Sequence, residues 1–450
     1  MAKRKRVLSG MRPTGRLHIG HYFGALQNWR ALQDKIDPKT GEPEYDCYFP
    51  VVDWHALTTH YEDTASIAEN TLQVTMDWLS VGLDPQKSTL FIQSRVLEHA
   101  ELHLILSMIT PLGWLERVPT YKEIIENLKD RDLGTYGFLG YPLLQSADIV
   151  LYGEPGQELF VPVGEDQVPH IELAREITRR FNAHFGLWYT DVMFSEARKN
   201  HLRTVLESIR THGGTAGVIE AELVPSTNVP YTEAQKARIR ALIRDGINAD
   251  GFANFLNTHM GGVSGSDLVR MRQILQEPQV LLTETPRLPG TDGRRMAKSY
   301  GNFISLSEPI DSLRNKARNM ITDPARVRRT DPGNPDVCPV FAYHNLFSTP
   351  EIIAQVNREC RTAEIGCVDC KKLMADALVK WIEPIQAKRR EFESHPQRVW
   401  DILDDGSKRA HKIADKTMER VREAIFGWKA ARKASSESAA PSAQKLASGD

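Results

Sequence analysis

Two histidines near the amino terminus are spaced for contact with a single ligand. His18 and His21 stand three residues apart, after a short β-rich run and a turn through Pro13 and Gly15. This order predicts a strand, a tight turn and a helix that begins near Gly20. The first turn of a helix offers unpaired N–H groups and a positive dipole to phosphate. Because imidazole N–H groups can stabilise charge on a transferring phosphoryl group, the segment predicts a phosphate-binding turn.

Three polar side chains follow helical spacing in a mostly apolar stretch. Tyr141, Gln145 and Asp148 stand at i, i+4 and i+7, so a helix would project them from one face. Their neighbours Leu144 and Ile149 are apolar, and a buried carboxylate without a donor is costly. An indole N–H would supply such a donor. The alternative is an amphipathic core helix whose aspartate is satisfied by the protein.

Four of the five cysteines lie within 33 residues. Cys338, Cys360, Cys367 and Cys370 form a C-x21-C-x6-C-x2-C pattern, and Cys47 stands apart as an expected core residue. Four thiols so close together in a chain without a secretion signal indicate a metal site rather than disulfides. The pattern suits tetrahedral zinc or a [4Fe–4S] cluster, and four unligated thiols are the remaining alternative.

The elements that must position these residues alternate along the first half of the chain. Short β-rich runs at 6–9, 45–52, 89–93 and 159–163 are separated by helical stretches such as 65–81. This alternation predicts an α/β fold with a doubly wound parallel sheet, which binds ligands at the carboxyl ends of its strands.

Composition limits the class of protein. The 450 residues carry 57 Lys and Arg against 58 Asp and Glu, a net charge of -1, which excludes a uniformly basic nucleic-acid coat. The length predicts two or three domains. No apolar run approaches the roughly 18 residues of a membrane span, and the first residues lack the apolar core of a signal peptide. We therefore expect a cytoplasmic protein without a membrane partner.

Three segments, taken in order, resemble one enzyme family. The turn SGMRPTGRLHIGHYFGAL resembles the HIGH region of class I aminoacyl-tRNA synthetases, and most closely that of tryptophanyl-tRNA synthetases. VGEDQ, which ends at Gln167, resembles a strand and loop of the same family. RMAKS, at 295–299, resembles the KMSKS loop, with Arg295 in place of the first lysine and Ala297 in place of the first serine. The similarity covers residues 1–190 and about 280–430.

The resemblance, together with the change of sequence pattern after residue 194 and the polar tail, predicts a domain order. A Rossmann-type catalytic domain is expected over 1–194, followed by an insertion of unassigned role at 195–279. The catalytic domain would end with the KMSKS-like loop at 280–305. An α-helical anticodon-binding domain with the four cysteines is expected at 306–430, and a disordered tail at 431–450.

The resemblance also implies the activity. Such enzymes activate tryptophan with ATP and Mg²⁺ and transfer it to the 3′-terminal ribose of tRNA(Trp), and they form homodimers. The catalytic residues would be His18, His21, Lys298 and Arg295. Further contacts to ATP would come from Arg12, Pro13, Thr14, Gly20, Gly164, Glu165, Asp166, Met296, Ala297 and Ser299.

In the same family an aspartate recognises the indole nitrogen, which here would be Asp148. Tyr141, Gln145, Gln167 and Gly10 would complete the tryptophan pocket. Glutamine at 145 is closer to tyrosyl-tRNA synthetases, which makes tyrosine the rival substrate. Two other classes stay open: a small-molecule nucleotidylyltransferase, which shares HxGH, and a non-catalytic RNA-binding paralogue.

The cysteine spacing resembles a subset of tryptophanyl enzymes with a [4Fe–4S] cluster, which we favour over zinc. Basic residues of the same region could contact tRNA phosphates. They are Arg326, Arg328, Arg329, Lys371, Lys372, Lys388, Arg389, Arg390 and Arg409.

Overall fold

The computed structural model describes residues 3–118, 134–212, 223–261, 267–283, 288–429 and 432. The chain divides into two compact units. The first unit contains residues 1–96, 160–167 and 280–410, and the second contains 97–159, 168–279 and 411–450. Apart from residue 432, the predicted tail at 431–450 lies outside the described residues. The domain boundaries drawn from the sequence stay predictions.

The strands of the first unit form the predicted sheet. The described strands are β1 Lys5–Leu8, β2 Tyr45–Val51, β3 Ser88–Ile92, β4 Leu159–Val163, β5 Leu187–Tyr189, β6 Val269–Met271 and β7 Pro278–Leu282. Five of them lie in the order β3-β2-β1-β4-β7, and β1–β2 and β2–β3 pair in parallel. The α/β fold class is therefore confirmed. The strand order places β1 beside β4, and the segments that leave such neighbouring strands form the usual ligand site of doubly wound sheets.

Helices make up most of the remaining described chain. The first group is α1 Ile19–His21, α2 Gln27–Asp34, α3 Asp53–His60, α4 Ile67–Ser80, α5 Glu98–Ser107, α6 Leu112–Glu116, α7 Tyr136–Leu139 and α8 Tyr141–Leu151. The second is α9 Val168–Phe185, α10 Lys199–His212, α11 Glu233–Asp250, α12 Phe252–His259, α13 Ile310–Asn319, α14 Pro339–Phe347, α15 Pro350–Arg361, α16 Cys367–Glu393 and α17 Pro396–Phe426. None of the described helices is long and apolar enough to cross a membrane.

The core of the first unit explains why its strands read as continuous apolar runs. Parallel strands are buried on both faces, and Cys47, Phe49 and Val51 of β2 are all inaccessible to solvent. Trp29 of α2 stacks on Phe49 at 4.5 Å between ring centres, and Trp78 of α4 meets Trp29 edge-on at 5.4 Å. Cys47 is a core residue, as expected.

The second unit has a core of its own, to which the predicted insertion contributes. Thr232, a residue type that favours helix N-caps, caps α11: its Oγ1 accepts the Gln235 N–H at 3.2 Å, and Gln235 Oε1 accepts the Thr232 N–H at 3.0 Å. Ile239 and Ile243 of that helix are fully buried. The Gly-rich stretch at 213–222 lies outside the described residues.

The last long helix of the described chain ends at a glycine. Helix α17 stops at Phe426, and Gly427 follows with φ +60°, the left-handed conformation that glycine adopts most readily. Helix α16 continues through Pro384 for nine more residues, to Glu393.

Candidate active site

The two histidines lie where the chain leaves β1 and begins α1. The His18 imidazole packs over Gly20, where a Cβ atom would come within 2.9 Å of the ring, so this position requires glycine. The rings of His18 and His21 face each other with 3.7 Å between their centres. A π-helical turn, Tyr22–Leu26, follows directly. The structure therefore brings both predicted histidines to one point.

A hydrogen bond fixes the tautomer of His21, whereas one ring nitrogen of His18 has no such bond within the described structure. The His18 backbone N–H donates to Nδ1 of His21 at 3.1 Å, so the ring proton of neutral His21 resides on Nε2. His18 Nδ1 is buried and has no hydrogen-bond partner among the described residues. Buried polar atoms in proteins are normally paired. The unpaired nitrogen of His18 therefore indicates a ligand.

Both imidazoles are neutral at pH 7. Burial and, to a smaller extent, the Lys298 ammonium lower the pKa of His18 to about 4. Burial, His18 and Lys298 together lower the pKa of His21 to about 3. The pair can therefore donate hydrogen bonds to a phosphate, while the positive charge must come from another side chain.

Lys298 supplies that charge. Its Nζ donates to the carbonyl oxygens of Thr14 and Gly15 at 2.8 and 3.0 Å, so the ammonium lies against the turn that precedes the histidines. Burial lowers the pKa of Lys298, and the carboxylate of Asp77 opposes this shift. A cavity of about 330 Å³ is lined by Thr14, Gly15, Lys298 and Glu308, among others.

A buried asparagine holds the basic loop, and the sequence analysis missed it. Asn302 is 3% exposed; its Nδ2 donates to Asp292 at 2.7 Å and to the carbonyl of Arg295 at 3.0 Å. Its Oδ1 accepts the N–H of Ala297 at 2.9 Å. The only signal in the sequence is a polar residue at the end of the loop, directly after Gly301.

Backbone pairing ties the histidine turn to the segment that follows the basic loop. Ile19 donates its N–H to the carbonyl of Ile304 at 3.0 Å, and Leu306 donates its N–H to the carbonyl of Leu17 at 2.9 Å. A change in the position of one segment is therefore passed to the other.

The VGEDQ segment forms a tight turn at the end of β4. Asp166 is exposed, and its carboxylate lies so close to Gly164 that a Cβ there would be 2.8 Å from Oδ1. Gln167 donates from Nε2 to Asp166 at 3.1 Å. The segment belongs to the first unit, as do the histidines and Lys298. An exposed carboxylate in this place can accept hydrogen bonds from ribose hydroxyls.

The other residues expected at ATP differ in exposure. Met296 is buried in the core, and its Sδ lies 3.4 Å from where a Cβ on Gly20 would be. Pro13 is also buried, whereas Ala297 is half-buried. Arg12, Thr14, Glu165, Arg295 and Ser299 are exposed.

Asp148 has a partner inside the second unit. It is 3% exposed on α8, and its Oδ1 lies 2.6 Å from Nδ1 of His99. His99 is fully buried, and its Nε2 lies 2.8 Å from the hydroxyl of Tyr152. The sequence showed that the carboxylate needs a donor but could not identify His99, which is 49 residues away.

The remaining residues of the expected tryptophan pocket are divided between the units. Tyr141 and Gln145 share the predicted face of α8 and are half-buried, and the ring of Tyr141 lies 5.7 Å from that of His170. Gly10 and Gln167 belong to the first unit. A Cβ on Gly10 would lie 2.9 Å from the carbonyl oxygen of Pro50, so this position has room only for glycine.

Proteins of known function resemble this chain in sequence over most of its length. Residues 1–200 and 263–383 match the family model of class I tRNA synthetases (W and Y). The tryptophan–tRNA ligase of Ralstonia nicotianae is 46% identical over 94% of this chain and 98% of that protein. That of Thermotoga maritima is 40% identical over 93% and 98%. The chain belongs to the class I tryptophanyl-tRNA synthetases.

A solved structure of the family has a similar fold. The tryptophanyl-tRNA synthetase of Campylobacter jejuni, crystallised with ADP and tryptophan, superimposes with a TM-score of 0.64 and 25% identity, over 93% of this chain and 99% of that one. The His18–His21 turn and the loop that carries Lys298 resemble the HIGH and KMSKS segments of the family.

The four cysteines of this synthetase approach one another in the first unit. Cys338 precedes α14, Cys360 lies on α15, and Cys367 and Cys370 lie in the first turn of α16; none forms a disulfide. Burial raises the pKa of the Cys370 thiol to about 12, and the other three cysteines add to the shift, so the four groups lie within electrostatic reach.

The iron–sulfur prediction nevertheless gains no support from the structure. Within the described part of the chain, no three His, Cys, Asp or Glu side chains form a group that could hold a metal ion. Two nitrogen groups approach the sulfurs instead. Arg326 Nη1 lies 3.7 Å from Cys360 Sγ, and His344 Nε2 lies 3.5 Å from Cys370 Sγ.

Two of the basic residues expected to contact tRNA are not on the surface. Arg326 is 9% exposed and donates to the carbonyls of Arg329 and Ile365 at 3.0 and 2.8 Å. Arg389 is 2% exposed and pairs with Asp77. The expectation that these two bind phosphate is wrong, because their guanidinium groups already serve internal partners.

Proposed function

We infer that this protein is a tryptophan–tRNA ligase. It activates L-tryptophan with ATP, forming tryptophanyl-adenylate and pyrophosphate, and then transfers tryptophan to the 3′-terminal ribose of tRNA(Trp). The observation that carries this inference is the 46% identity over 98% of a curated tryptophan–tRNA ligase. The three family segments of this chain, moreover, all belong to one compact unit.

In the activation step we assign the neutral histidines to hydrogen bonding and Lys298 to charge. The tryptophan carboxylate forms a bond to the α-phosphorus of ATP, and the bond to the bridging oxygen breaks, so pyrophosphate leaves with the electron pair. Charge on the phosphoryl oxygens would be stabilised by N–H groups of His18 and His21, and charge on pyrophosphate by Lys298 and Arg295. Mg²⁺ enters as part of the nucleotide substrate. Asp166 would hold the ribose.

We assign selection of tryptophan to Asp148. Its buried carboxylate can accept the indole N–H, and the His99 contact keeps it in one orientation. A site that holds a buried polar partner rejects a substrate without the matching group by orders of magnitude. The family resemblance also assigns Tyr141, Gln145, Gln167 and Gly10 to tryptophan binding.

Aminoacylation of purified tRNA(Trp) and tRNA(Tyr) with either amino acid tests the function. We expect tryptophan on tRNA(Trp) alone. Tyrosine on tRNA(Tyr) would instead identify the tyrosyl enzyme. Absence of charging on both tRNAs would contradict the ligase and favour the nucleotidylyltransferase or the RNA-binding paralogue.

We propose that an apolar face of the second unit forms a homodimer. Leu97, Leu104 and Met108 stand at i, i+7 and i+11, in α5 or directly next to its ends, so they lie on one helix face, and each is more than half exposed. Leu112 and Tyr136, later in the same unit, are also more than half exposed. Exposed patches of this kind mark interaction sites, and an isologous contact with a second copy fits the dimers that the family resemblance implies.

Light scattering of the purified protein tests the dimer. We expect a dimer for the wild type and a monomer for Leu104→Asp. Leu282→Asp, at an equally exposed leucine of the first unit, serves as the matched control and should stay dimeric. A monomeric wild type, or equal behaviour of the two variants, would contradict the proposed interface.

We propose a [4Fe–4S] cluster, in preference to structural zinc, on Cys338, Cys360, Cys367 and Cys370. The proposal rests on the C-x21-C-x6-C-x2-C spacing and on the donor chemistry of four thiols. Anaerobically purified protein should contain about four iron and four sulfide per chain, and Cys360→Ser should lose them while Cys47→Ser keeps them. Stoichiometric zinc, or no metal at all, would contradict the cluster.

We propose that the helical region contacts tRNA in the cytoplasm. Its exposed basic residues include Arg328, Arg329, Lys372, Lys388 and Arg390. Contacts of such side chains to phosphates weaken as salt concentration rises.

A further inference from the structure

Helix α16 places two polar side chains on its buried face. Gln386 and Arg389 are 8% and 2% exposed, and the same helix buries Leu378 and Ile382. Buried polar groups need partners, and both of these residues find them next to the ATP-binding segments. Neither residue is assigned a part in catalysis above.

Arg389 reaches the histidine turn through one intermediate residue. Its guanidinium pairs with the fully buried Asp77 of α4 and also contacts Gln73. Asp77 uses its other oxygen, Oδ2, to accept the backbone N–H of Leu17 at 2.7 Å. Leu17 directly precedes His18, so only two contacts separate the guanidinium from the backbone of the histidine turn.

Gln386 supports the segment that pairs with this turn. Its Nε2 donates to the carbonyls of Leu306 and Glu308 at 3.2 and 2.7 Å. Leu306 in turn donates its N–H to the carbonyl of Leu17 at 2.9 Å. The two side chains of α16 therefore support the two backbone segments that pair at Leu17 and Leu306. Gln386 does so directly, and Arg389 does so through Asp77.

A buried ion pair is a poor choice for stability alone. Removing two charges from water costs about as much as their attraction returns, and well-packed apolar residues are often as stable. A guanidinium group nevertheless fixes the orientation of the carboxylate that it binds, because its N–H donors lie in one plane. The Asp77 charge also favours the ammonium form of Lys298, which lies beside the same turn.

We propose that Arg389, acting through Asp77, is a positioning residue for tryptophan activation. It holds the backbone at Leu17 so that His18 and His21 are ordered before ATP binds. This inference rests on the proposed activation of tryptophan with ATP. Misplacement of catalytic groups by about 1 Å can cost on the order of 100-fold in rate.

The double variant Asp77→Asn/Arg389→Met tests the proposal without leaving a buried charge unpaired. Asparagine can still accept the Leu17 N–H, so the fold keeps that contact while it loses the guanidinium fork and the Asp77 charge; Arg389→Lys, described below, removes the fork alone. ATP–pyrophosphate exchange is measured with each substrate varied. We expect kcat/KM for ATP to fall about 10- to 100-fold, while the KM for tryptophan stays within about twofold.

Two further variants separate positioning from general structure. Glu393→Gln removes the more exposed ion-pair partner of Arg389 and should leave both constants unchanged. Arg389→Lys keeps the charge without the fork and should give an intermediate kcat/KM for ATP; this variant decides the question if the double variant does not fold.

Three results would overturn the proposal. A folded double variant with wild-type constants for ATP would remove Arg389 from the mechanism, as would wild-type constants for Arg389→Lys if only that variant folds. A loss of kcat that matches a lower fraction of folded protein would indicate a merely structural role. If the wild-type protein shows no tryptophan-dependent exchange, the proposed function itself fails and the inference fails with it.

Discussion

The histidine turn and the Asp148 site solve the problem of buried polar groups in opposite ways. At the histidine turn, His18 Nδ1 is buried without a partner among the described residues, and burial keeps both imidazoles neutral. At Asp148 the carboxylate already contacts His99, which in turn contacts Tyr152.

The difference follows from charge. Burying a neutral imidazole without a hydrogen-bond partner costs only a modest free energy. Burying an isolated carboxylate costs far more. The proposed phosphate-binding turn can therefore keep unpaired hydrogen-bond donors. The proposed tryptophan site must be ordered in advance, because the Asp148 charge needs a protein partner even without tryptophan.

The largest effect is expected where the buried ammonium beside the histidine turn is removed. Lys298→Ala should lower kcat for tryptophan-dependent exchange by about 100- to 1,000-fold, because charge on the leaving pyrophosphate loses one of its two proposed partners. Tryptophan affinity should change little. Arg294→Ala is the matched control, since Arg294 is an exposed cation of the same loop that pairs with Asp292. Equal losses in the two variants would show that Lys298 has no special role.

Removing the charge at Asp148 should affect the other substrate. Asp148→Asn keeps the size and one acceptor, and we expect kcat/KM for tryptophan to fall about 10- to 100-fold with the KM for ATP unchanged. Ser146→Ala, at a buried neighbour on α8 that donates only to the Pro142 carbonyl, should have little effect. An unchanged tryptophan dependence in Asp148→Asn would end its assignment to the indole.

Preorganisation of Asp148 can be tested one residue further away. His99→Phe keeps a buried ring but removes the donor, and it should raise the KM for tryptophan about 10-fold, as is typical for the loss of a supporting contact. Tyr152→Phe removes only the far hydroxyl and should have a smaller effect in the same direction. Wild-type binding in His99→Phe would mean that the carboxylate is oriented without it.

The smallest effect concerns the neutral state of His18. Below pH 6.5 an ordinary histidine of the unfolded chain takes up a proton, whereas folded His18 stays neutral down to a pKa of about 4. Because the unfolded state then binds more protons, the free energy of unfolding falls as pH drops from 7 to 5. In urea titrations, the free energy of unfolding of His18→Asn should fall by about 1 kcal/mol less than that of the wild type between pH 7 and pH 5. Identical pH dependence would contradict the lowered pKa.

Much of the fold could be predicted because its signals are local. The strands at 45–52 and 159–163 stand out as apolar runs, since parallel strands are buried on both faces. Thr232 and Gly427 mark helix ends through their own backbone chemistry. The described structure agrees with these predictions to within a residue or two.

The partners that order the site could not be predicted. Arg389 lies 312 residues from Asp77 and sits in a basic run that looks like exposed surface. Nothing in the spacing of His99 and Asp148 shows that they meet. Such pairs are fixed by tertiary packing. The cysteine spacing predicted a metal, yet the thiols are not arranged as ligands, and ligand bonds form only together with the metal.

The central claim is that this chain activates tryptophan, and amino-acid-dependent ATP–pyrophosphate exchange with all twenty amino acids tests it most directly. Exchange with tryptophan alone is the predicted result, and it would support Asp148 as the selecting residue. Exchange with tyrosine would keep the fold but contradict the pocket. No exchange with any amino acid, with or without tRNA, would contradict the account as a whole.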